Sequence, residues 1–290
     1  MDLKQQQPPL TVEEQLQNLR ELGLTIDNDY SAQAMLNDVS YFRLIKAFSL
    51  GLKPRNGRYI EGTSFETIVQ LYKFNSRFRQ LLFPVIERVE INLRCRLANH
   101  FSNKYGVLGY EDAENFQNPL YHESFLKEIG DEIRRNKKSP FVKNFQENYV
   151  DGKLPLYALV ELFSFGTLSK FFKNMKGEDK KAVANLYGIN YAYLESWIES
   201  ISHIRNICAH YGRLYNATFV KQPRLYRCYK GCTDSNRIFA ILLCIKELNS
   251  TNPHWFAFVD ELELLFEKYP EAKKETMGFP KNWKALLEEK

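Results

Sequence analysis

No stretch of this chain comes near the roughly 18 consecutive apolar residues that a membrane-crossing helix needs. Its opening, MDLKQQQPPL, carries neither an apolar signal core nor a cleavage signature. Membrane insertion and secretion are therefore not expected, and a cytoplasmic setting is. Cysteine is scarce and odd in number: Cys95, Cys208, Cys228, Cys232 and Cys244. That argues against a disulfide framework and for reduced thiols. Cys228 and Cys232 form a C-x3-C with no second half, too little to announce a zinc site. Alternating polar and apolar runs are missing, which speaks against a sheet-based fold. Strong charge of one sign is missing too: 40 Lys and Arg stand against 35 Asp and Glu. A net +5 does not by itself imply a nucleic-acid partner, so the distribution of charge matters more than its sum.

What is present is helix-forming pattern almost throughout. Thr11 with Glu14 makes a capping-box spacing and Gly23 closes the helix that follows. A second apolar helix is expected through YFRLIKAFSL. Thr63 with Glu66 opens the longest pattern, which runs to Gly106 with apolar residues recurring every three and four positions. Pro84 is expected to kink it. Residues 106–120 read as loop. Further helices are expected near 121–135, 141–150, 156–164, 168–175, 179–187, 191–210, 235–248, 254–268 and 281–288. The expected fold is an all-α bundle built on one long kinked helix. The turn-rich connector KPRNGRYIEG divides it into a helical lead-in, residues 1–62, and a main helical domain, residues 63–290.

Chemistry concentrates in LESWIESISHIRNICAHYGRLYN, residues 194–216. Leu194, Trp197, Ile198, Ile201, Ile204 and Cys208 make an apolar stripe that should bury one face of a helix. Glu199, His203, Asn206 and His210 share another face, with Arg205 beside it. Arg205 and His210 lie about 140° apart around an ideal helix and roughly 7.5 Å apart along it, close enough for the long arginine stem to bring both heads to one anion. Those residue types suit RNA cleavage. Attack of a ribose 2′-OH on the adjacent phosphate requires one proton removed and another delivered, and imidazole does either near neutrality. The phosphorane-like transition state gathers negative charge, which a planar, permanently protonated guanidinium stabilises. Asn206, one turn before His210, could orient the imidazole or bond the phosphate. No cofactor is called for. Two other readings stand beside this one. A polar helix face is commonly just solvated, and Glu199, His203 and His210 together could hold zinc.

Between Glu199 and Asp234 the chain has no acidic residue. The same stretch holds Arg213, Lys221, Arg224, Arg227 and Lys230, interleaved with Tyr211, Tyr215, Phe219, Tyr226 and Tyr229. Cations neutralise phosphates and rings stack on unpaired bases, so Tyr211, Arg213, Tyr215, Lys221, Arg224, Arg227 and Lys230 are candidate RNA contacts. Arg94 and His100 repeat the Arg-to-His spacing inside the long helix. Beside Glu87, Arg88, Glu90 and Arg96 they read as an ion-paired cluster rather than a second site. The basic run Arg134, Arg135, Lys137, Lys138 reads as a solvated surface.

The segment RNICAH resembles the R-N-x-x-x-H motif of HEPN-domain ribonucleases, with Arg205, Asn206 and His210 in the matching positions. VSYFRLIKAF, LYKFNSRFRQLL, IERVEINLRCRLANHF, LPLYALVELFSFGTLSKFF and RNICAHYGRLYN are similar, in order, to blocks of the Abi family of bacterial abortive-infection proteins of the AbiD/AbiF type. The likeness runs from about residue 15 to about residue 225. It implies a HEPN fold, metal-independent ribonuclease activity and a role as an RNA-targeting toxin or phage-defence effector. It also implies kinship to RNA-guided type VI CRISPR nucleases. Association with a small noncoding RNA, as antitoxin or guide, follows from some AbiF proteins. HEPN ribonucleases generally face two motifs across a domain pair. A chain with one motif is therefore expected to form a homodimer or a higher assembly of such dimers. The competing expectation is a catalytically inert HEPN-like module that only binds RNA or protein.

Overall fold

The Thr11 and Glu14 spacing does what a capping box should. The Thr11 hydroxyl accepts the Glu14 N–H at 3.2 Å, and the Glu14 carboxylate accepts the Thr11 N–H at 2.7 Å. This starts helix α1 (Val12–Glu21) in a computed structural model that describes residues 8–53, 56–249 and 252–289. The remaining helices are α2 (Asp29–Asp38), α3 (Phe65–Tyr105), α4 (Pro119–Arg135), α5 (Pro140–Asn148) and α6 (Leu156–Leu159). They continue with α7 (Phe165–Asn174), α8 (Gly177–Asn185), α9 (Tyr191–Ala209), α10 (Ile238–Asn249), α11 (Pro253–Lys268) and α12 (Trp283–Glu288). Among the described residues there is no sheet, only isolated bridges, so the protein is an all-α bundle.

The bundle is organised on α3, whose 41 residues span about 60 Å. Its cap is Ser64, whose hydroxyl accepts the Thr67 N–H at 3.1 Å, one position later than the Thr63 and Glu66 spacing suggests. The helix runs without interruption past Pro84 to Gly106, whose φ of +81° ends it. Helices α6, α8, α9, α10 and α11 all pack on it. Helix α10 is buried from Ile238 to Lys246, the all-round burial of a central helix. Phe101, Phe116, Phe125 and Phe171 lock α3, α4 and α7 together through ring contacts at 5.0 to 5.4 Å.

Two local features depart from the sequence reading. Helix α2 is unforeseen, because it buries little besides Ala32 and Leu36 and so shows almost no apolar stripe. Asn28 starts it by accepting the Ser31 N–H at 3.0 Å. The expected helix in YFRLIKAFSL forms over 41–48, but its middle, Phe42–Lys46, widens into a π-helical turn. Leu44, Ile45 and Phe48 are buried there, while Phe42 and Arg43 point outward.

The lead-in is stitched to the main body. Thr25 donates to the Thr63 carbonyl at 3.0 Å, Phe65 donates to the Thr25 carbonyl at 2.8 Å, and Tyr59 donates to the Leu22 carbonyl at 2.8 Å. One hydrophobic core extends from Leu16 to Leu287. Of the connector KPRNGRYIEG, Pro54 and Arg55 lie outside the described residues. No described helix is long and apolar enough to cross a membrane.

Candidate active site

Helix α9 carries the candidate residues, and its sequence explains its placement. Asn190 caps it by accepting the Ala192 N–H at 2.9 Å. Leu194, Trp197, Ile198, Ile201, Ile204 and Cys208 are all buried, as their spacing requires, against α3, α7, α8 and α10. Burial pushes the Cys208 thiol up to about 12, so it stays protonated and inert.

Along α3, the helix α9 runs antiparallel. Arg205 meets Phe83 and Glu90, the Cys208 carbonyl meets Arg79, and the Gly212 carbonyl meets Asn75. Arg205 donates its Nε to Glu90 Oε2 at 3.2 Å, and its guanidinium carbon lies 5.9 Å from the Phe83 ring centre. Glu90 is buried, and its other oxygen accepts Arg94 Nη2 at 3.0 Å. Arg94 is anchored in turn on the Phe163 carbonyl at 3.0 Å and on the Val160 carbonyl. One carboxylate thus serves two arginines. Because Arg205 spends Nε on Glu90, its terminal nitrogens, in a side chain 31% exposed, make no hydrogen bond among the described residues. They present an open fork of the kind that grips a phosphate.

His210 sits where α9 stops. The Tyr211 N–H reaches the Cys208 carbonyl at 3.3 Å and the Gly212 N–H reaches the Ile207 carbonyl at 2.7 Å, the two bonds of a Schellman motif. The left-handed position of that motif, normally glycine, is Tyr211 with φ +58°. Gly212 follows because no side chain fits: a Cβ there would come within 2.7 Å of Ile207 Cγ2. Arg79 from α3 closes the end by donating to the Cys208 carbonyl at 3.4 Å. Asn75, fully enclosed, accepts the N–H groups of Leu214 and Tyr215 at 2.7 and 3.0 Å. The turn presents His210 and Asn206 to solvent. Asn206 and His210 are joined through the backbone, the His210 N–H donating to the Asn206 carbonyl at 3.0 Å.

The family pattern of Abi-like proteins matches residues 34–216, well over half of the chain. The protein belongs to that family. The matched span begins within α2 and ends just after the His210 turn, so it includes both α3 and α9. The family implies an abortive-infection function. No curated protein and no solved structure matches the chain.

In this Abi-like protein the acid-free stretch after α9 is a mixed surface. Arg224, Arg227 and Lys230 are exposed, as is Tyr211. Arg224 is fixed by its backbone: its N–H donates to Ser196 Oγ at 2.8 Å and its carbonyl accepts Trp197 Nε1 at 2.6 Å. Lys221 pairs with Glu199. Arg213 is half-buried and donates one terminal nitrogen to the Tyr215 and Asn216 carbonyls, both at 3.0 Å. Tyr215 corrects the sequence reading. It is buried edge-on against Phe74, with ring centres 6.0 Å apart, and has no face to offer a base. Phe219 and Tyr229 are likewise buried, and Tyr226 packs between Tyr193 and Trp197. Interleaved rings that read as a stacking platform are mostly the means by which a loop without regular structure anchors itself to the core.

The zinc alternative fails on geometry. Its ion pair with Lys221 holds the Glu199 carboxyl below its usual range. His203 turns edge-on to Phe219, and burial followed by Lys221 lowers its basicity. Among the described residues no three His, Cys, Asp or Glu groups converge on one metal position. The second Arg-to-His spacing is structural. Arg94 belongs to Glu90, and His100 Nε2 lies 2.9 Å from the buried Asp179, which also accepts Lys104 and Tyr105. Arg134 and Arg135 pair with Asp131 and Glu132 on the surface. Sequence reasoning missed Arg79, Asn75 and Phe83 entirely. It saw Glu90 only as a neighbour of Arg94. Their roles depend on contacts across more than 100 positions, for which a single sequence carries no signal.

Proposed function

We propose that this protein is a metal-independent endoribonuclease of the HEPN type that cleaves single-stranded RNA as an abortive-infection effector. The observation that carries the reading is the state of Arg205. A buried carboxylate holds the guanidinium by Nε and leaves its terminal fork open, on the same helix that ends in the exposed His210. Such a fork suits the equatorial oxygens of a phosphate under attack.

The step balances as follows. Neutral His210 takes the proton from a ribose 2′-OH, and the 2′ oxygen bonds to the adjacent phosphorus. The bond from phosphorus to the 5′ oxygen breaks, and that oxygen receives a proton from a second imidazolium. A homodimer supplies it as His210 of the partner subunit, which also brings a second arginine fork to the cleft. The products are a 2′,3′-cyclic phosphate and a 5′-hydroxyl. Exposed Arg224, Arg227 and Lys230 offer phosphate contacts to nucleotides farther along the RNA, Arg224 being held at Ser196 and Trp197 in the first half of α9. An RNA that the protein carries as antitoxin or guide would occupy the same surface.

The test is cleavage of end-labelled RNA and the matching DNA in excess EDTA. RNA should be cut to cyclic-phosphate ends while DNA, lacking the 2′-OH, survives. Arg205→Ala should slow cleavage by about 10²- to 10³-fold and His210→Ala by about 10²- to 10⁴-fold, each in a folded protein. RNA binding with no turnover in the wild type would leave an inert binding module instead.

A further inference from the structure

His210 lies on the wall of a cavity of about 330 Å³ whose other lining residues the catalytic reading does not use. Its walls come from three parts of the chain, the segment around the π-helical turn Phe42–Lys46, the first turns of α3 and the turn that ends α9. Phe42, Arg43, Tyr72, His210, Tyr211 and Arg213 line it, and among the described residues no acidic side chain does. Its size falls at the lower end of the roughly 300–1,000 Å³ typical of small-molecule sites.

Two large rings stand out at this cavity. Phe42 is 78% exposed and Tyr211 is 68% exposed, in a protein that buries most of its phenylalanines. Leu44, Ile45 and Phe48 of the same segment go inside, while Phe42 stays out. Tyr211 is also held in place at a cost. Its left-handed backbone is about 1–2 kcal/mol less favourable for a side-chain-bearing residue than for glycine. Three contacts maintain it: the Schellman bonds, the Arg43 Nη1 bond to its carbonyl at 3.1 Å, and the Arg79 guanidinium 5.7 Å from its ring centre. A non-glycine residue kept at positive φ, a π-helical turn and an exposed ring pair are each features that collect at functional sites. Here all three border one cavity, next to the imidazole assigned to proton transfer.

The charge identifies the guest. Arg43 is exposed, Arg213 is half-buried, and burial followed by Arg237 lowers its basicity. With His210 on the same walls and no carboxylate there among the described residues, the cavity favours a ligand that is both aromatic and anionic. We infer that it is a nucleotide subsite, which seats one nucleotide of the RNA next to the scissile phosphate with its base against Phe42 and Tyr211 and its phosphate toward Arg43. This rests on His210 being the catalytic histidine. It gives the lead-in segment a task in substrate selection, since Phe42 and Arg43 come from residues far from α9.

The experiment is calorimetric titration of the full chain with each of the four nucleoside 3′-monophosphates, alongside steady-state RNA cleavage. At least one nucleotide should bind saturably at a single site per chain. Phe42→Ala, at an exposed position, should weaken that binding by about 5- to 100-fold, the loss expected for one base-stacking ring. Phe42→Tyr should restore it, and Arg43→Ala, which also removes a bond to the Tyr211 carbonyl, should weaken nucleotides by more than the corresponding nucleosides. In cleavage assays Phe42→Ala should raise KM far more than it lowers kcat. Absence of nucleotide binding in the wild type, or binding indifferent to both Phe42→Ala and Arg43→Ala, overturns the inference. The two readings fail separately. Nucleotide binding without RNA cleavage would sink the ribonuclease and leave a nucleotide-binding cavity with no scissile phosphate beside it, and cleavage without nucleotide binding would sink the subsite and leave the ribonuclease.

Discussion

Glu90 decides how Arg205 is presented. Its two oxygens are divided between Arg205 and Arg94, so each guanidinium is half-neutralised and held by a charge-assisted bond. Removing the charge while keeping the shape tests that arrangement. In Glu90→Gln one of the two arginines must face an amide N–H instead of an acceptor, and charge-assisted bonds contribute about 1.5–3 kcal/mol each. Cleavage should fall by about 10- to 100-fold, mostly in kcat, because the fork loses its aim rather than its charge. Steady-state kinetics on protein with an unchanged circular dichroism spectrum is the check. Faster cleavage would show the opposite role, a carboxylate that competes with phosphate for Arg205.

At the scale of the element, the end of α9 is a turn whose two key residues are reversed in kind from what backbone preference suggests. Tyr211 occupies the left-handed position, and Gly212 occupies one with ordinary φ. The glycine is required by contact, since a Cβ would meet Ile207 Cγ2 at 2.7 Å and the Ile207 carbonyl oxygen at 3.1 Å. Gly212→Ala should therefore destabilise the protein by about 1–3 kcal/mol, as overpacking does. Tyr211→Gly should change stability by less than about 1 kcal/mol, relief of the left-handed backbone being offset by the greater freedom of glycine in the unfolded chain. Denaturant midpoints of the two variants decide the matter. Equal losses would mean that the ring, not the backbone, holds the turn.

For the whole molecule the question is how many chains make one site. At the end of α9 a single chain offers one exposed histidine, His210, with the open fork of Arg205 on the same helix, whereas the proposed cleavage moves two protons. The proposed two-fold dimer, facing the ends of α9, would supply the second set, and isologous association is the commonest form for identical chains. Two facing Arg205 forks repel when the cleft is empty, but each already shares a carboxylate, and a bound phosphate removes the rest. Wild-type chains mixed with an excess of His210→Ala chains under subunit exchange should lose activity more steeply than dilution alone, following the fraction of mixed dimers. Activity proportional to the number of wild-type chains would show that each works alone.

The sequence by itself determined the all-α fold, most helix positions, the buried face of α9 and the positions of Arg205, Asn206 and His210 at its end. These are legible because helical period, capping residues and turn glycines act within a few positions of one another. The family likeness was legible for the same reason, through blocks such as VSYFRLIKAF and RNICAHYGRLYN lying within the matched span 34–216. Only the tertiary structure decided which side chains lie open at the candidate site and which are buried. Tyr215, Phe219 and Tyr229 looked like ligands for bases and are core, whereas Phe42, from the lead-in, stands exposed beside His210. Glu90, Arg79 and Asn75 act on α9 from α3 across separations of 115, 129 and 137 residues. The physical reason is that burial and ion pairing are settled by which helix faces meet in space. Local sequence pattern fixes the faces but not their partners.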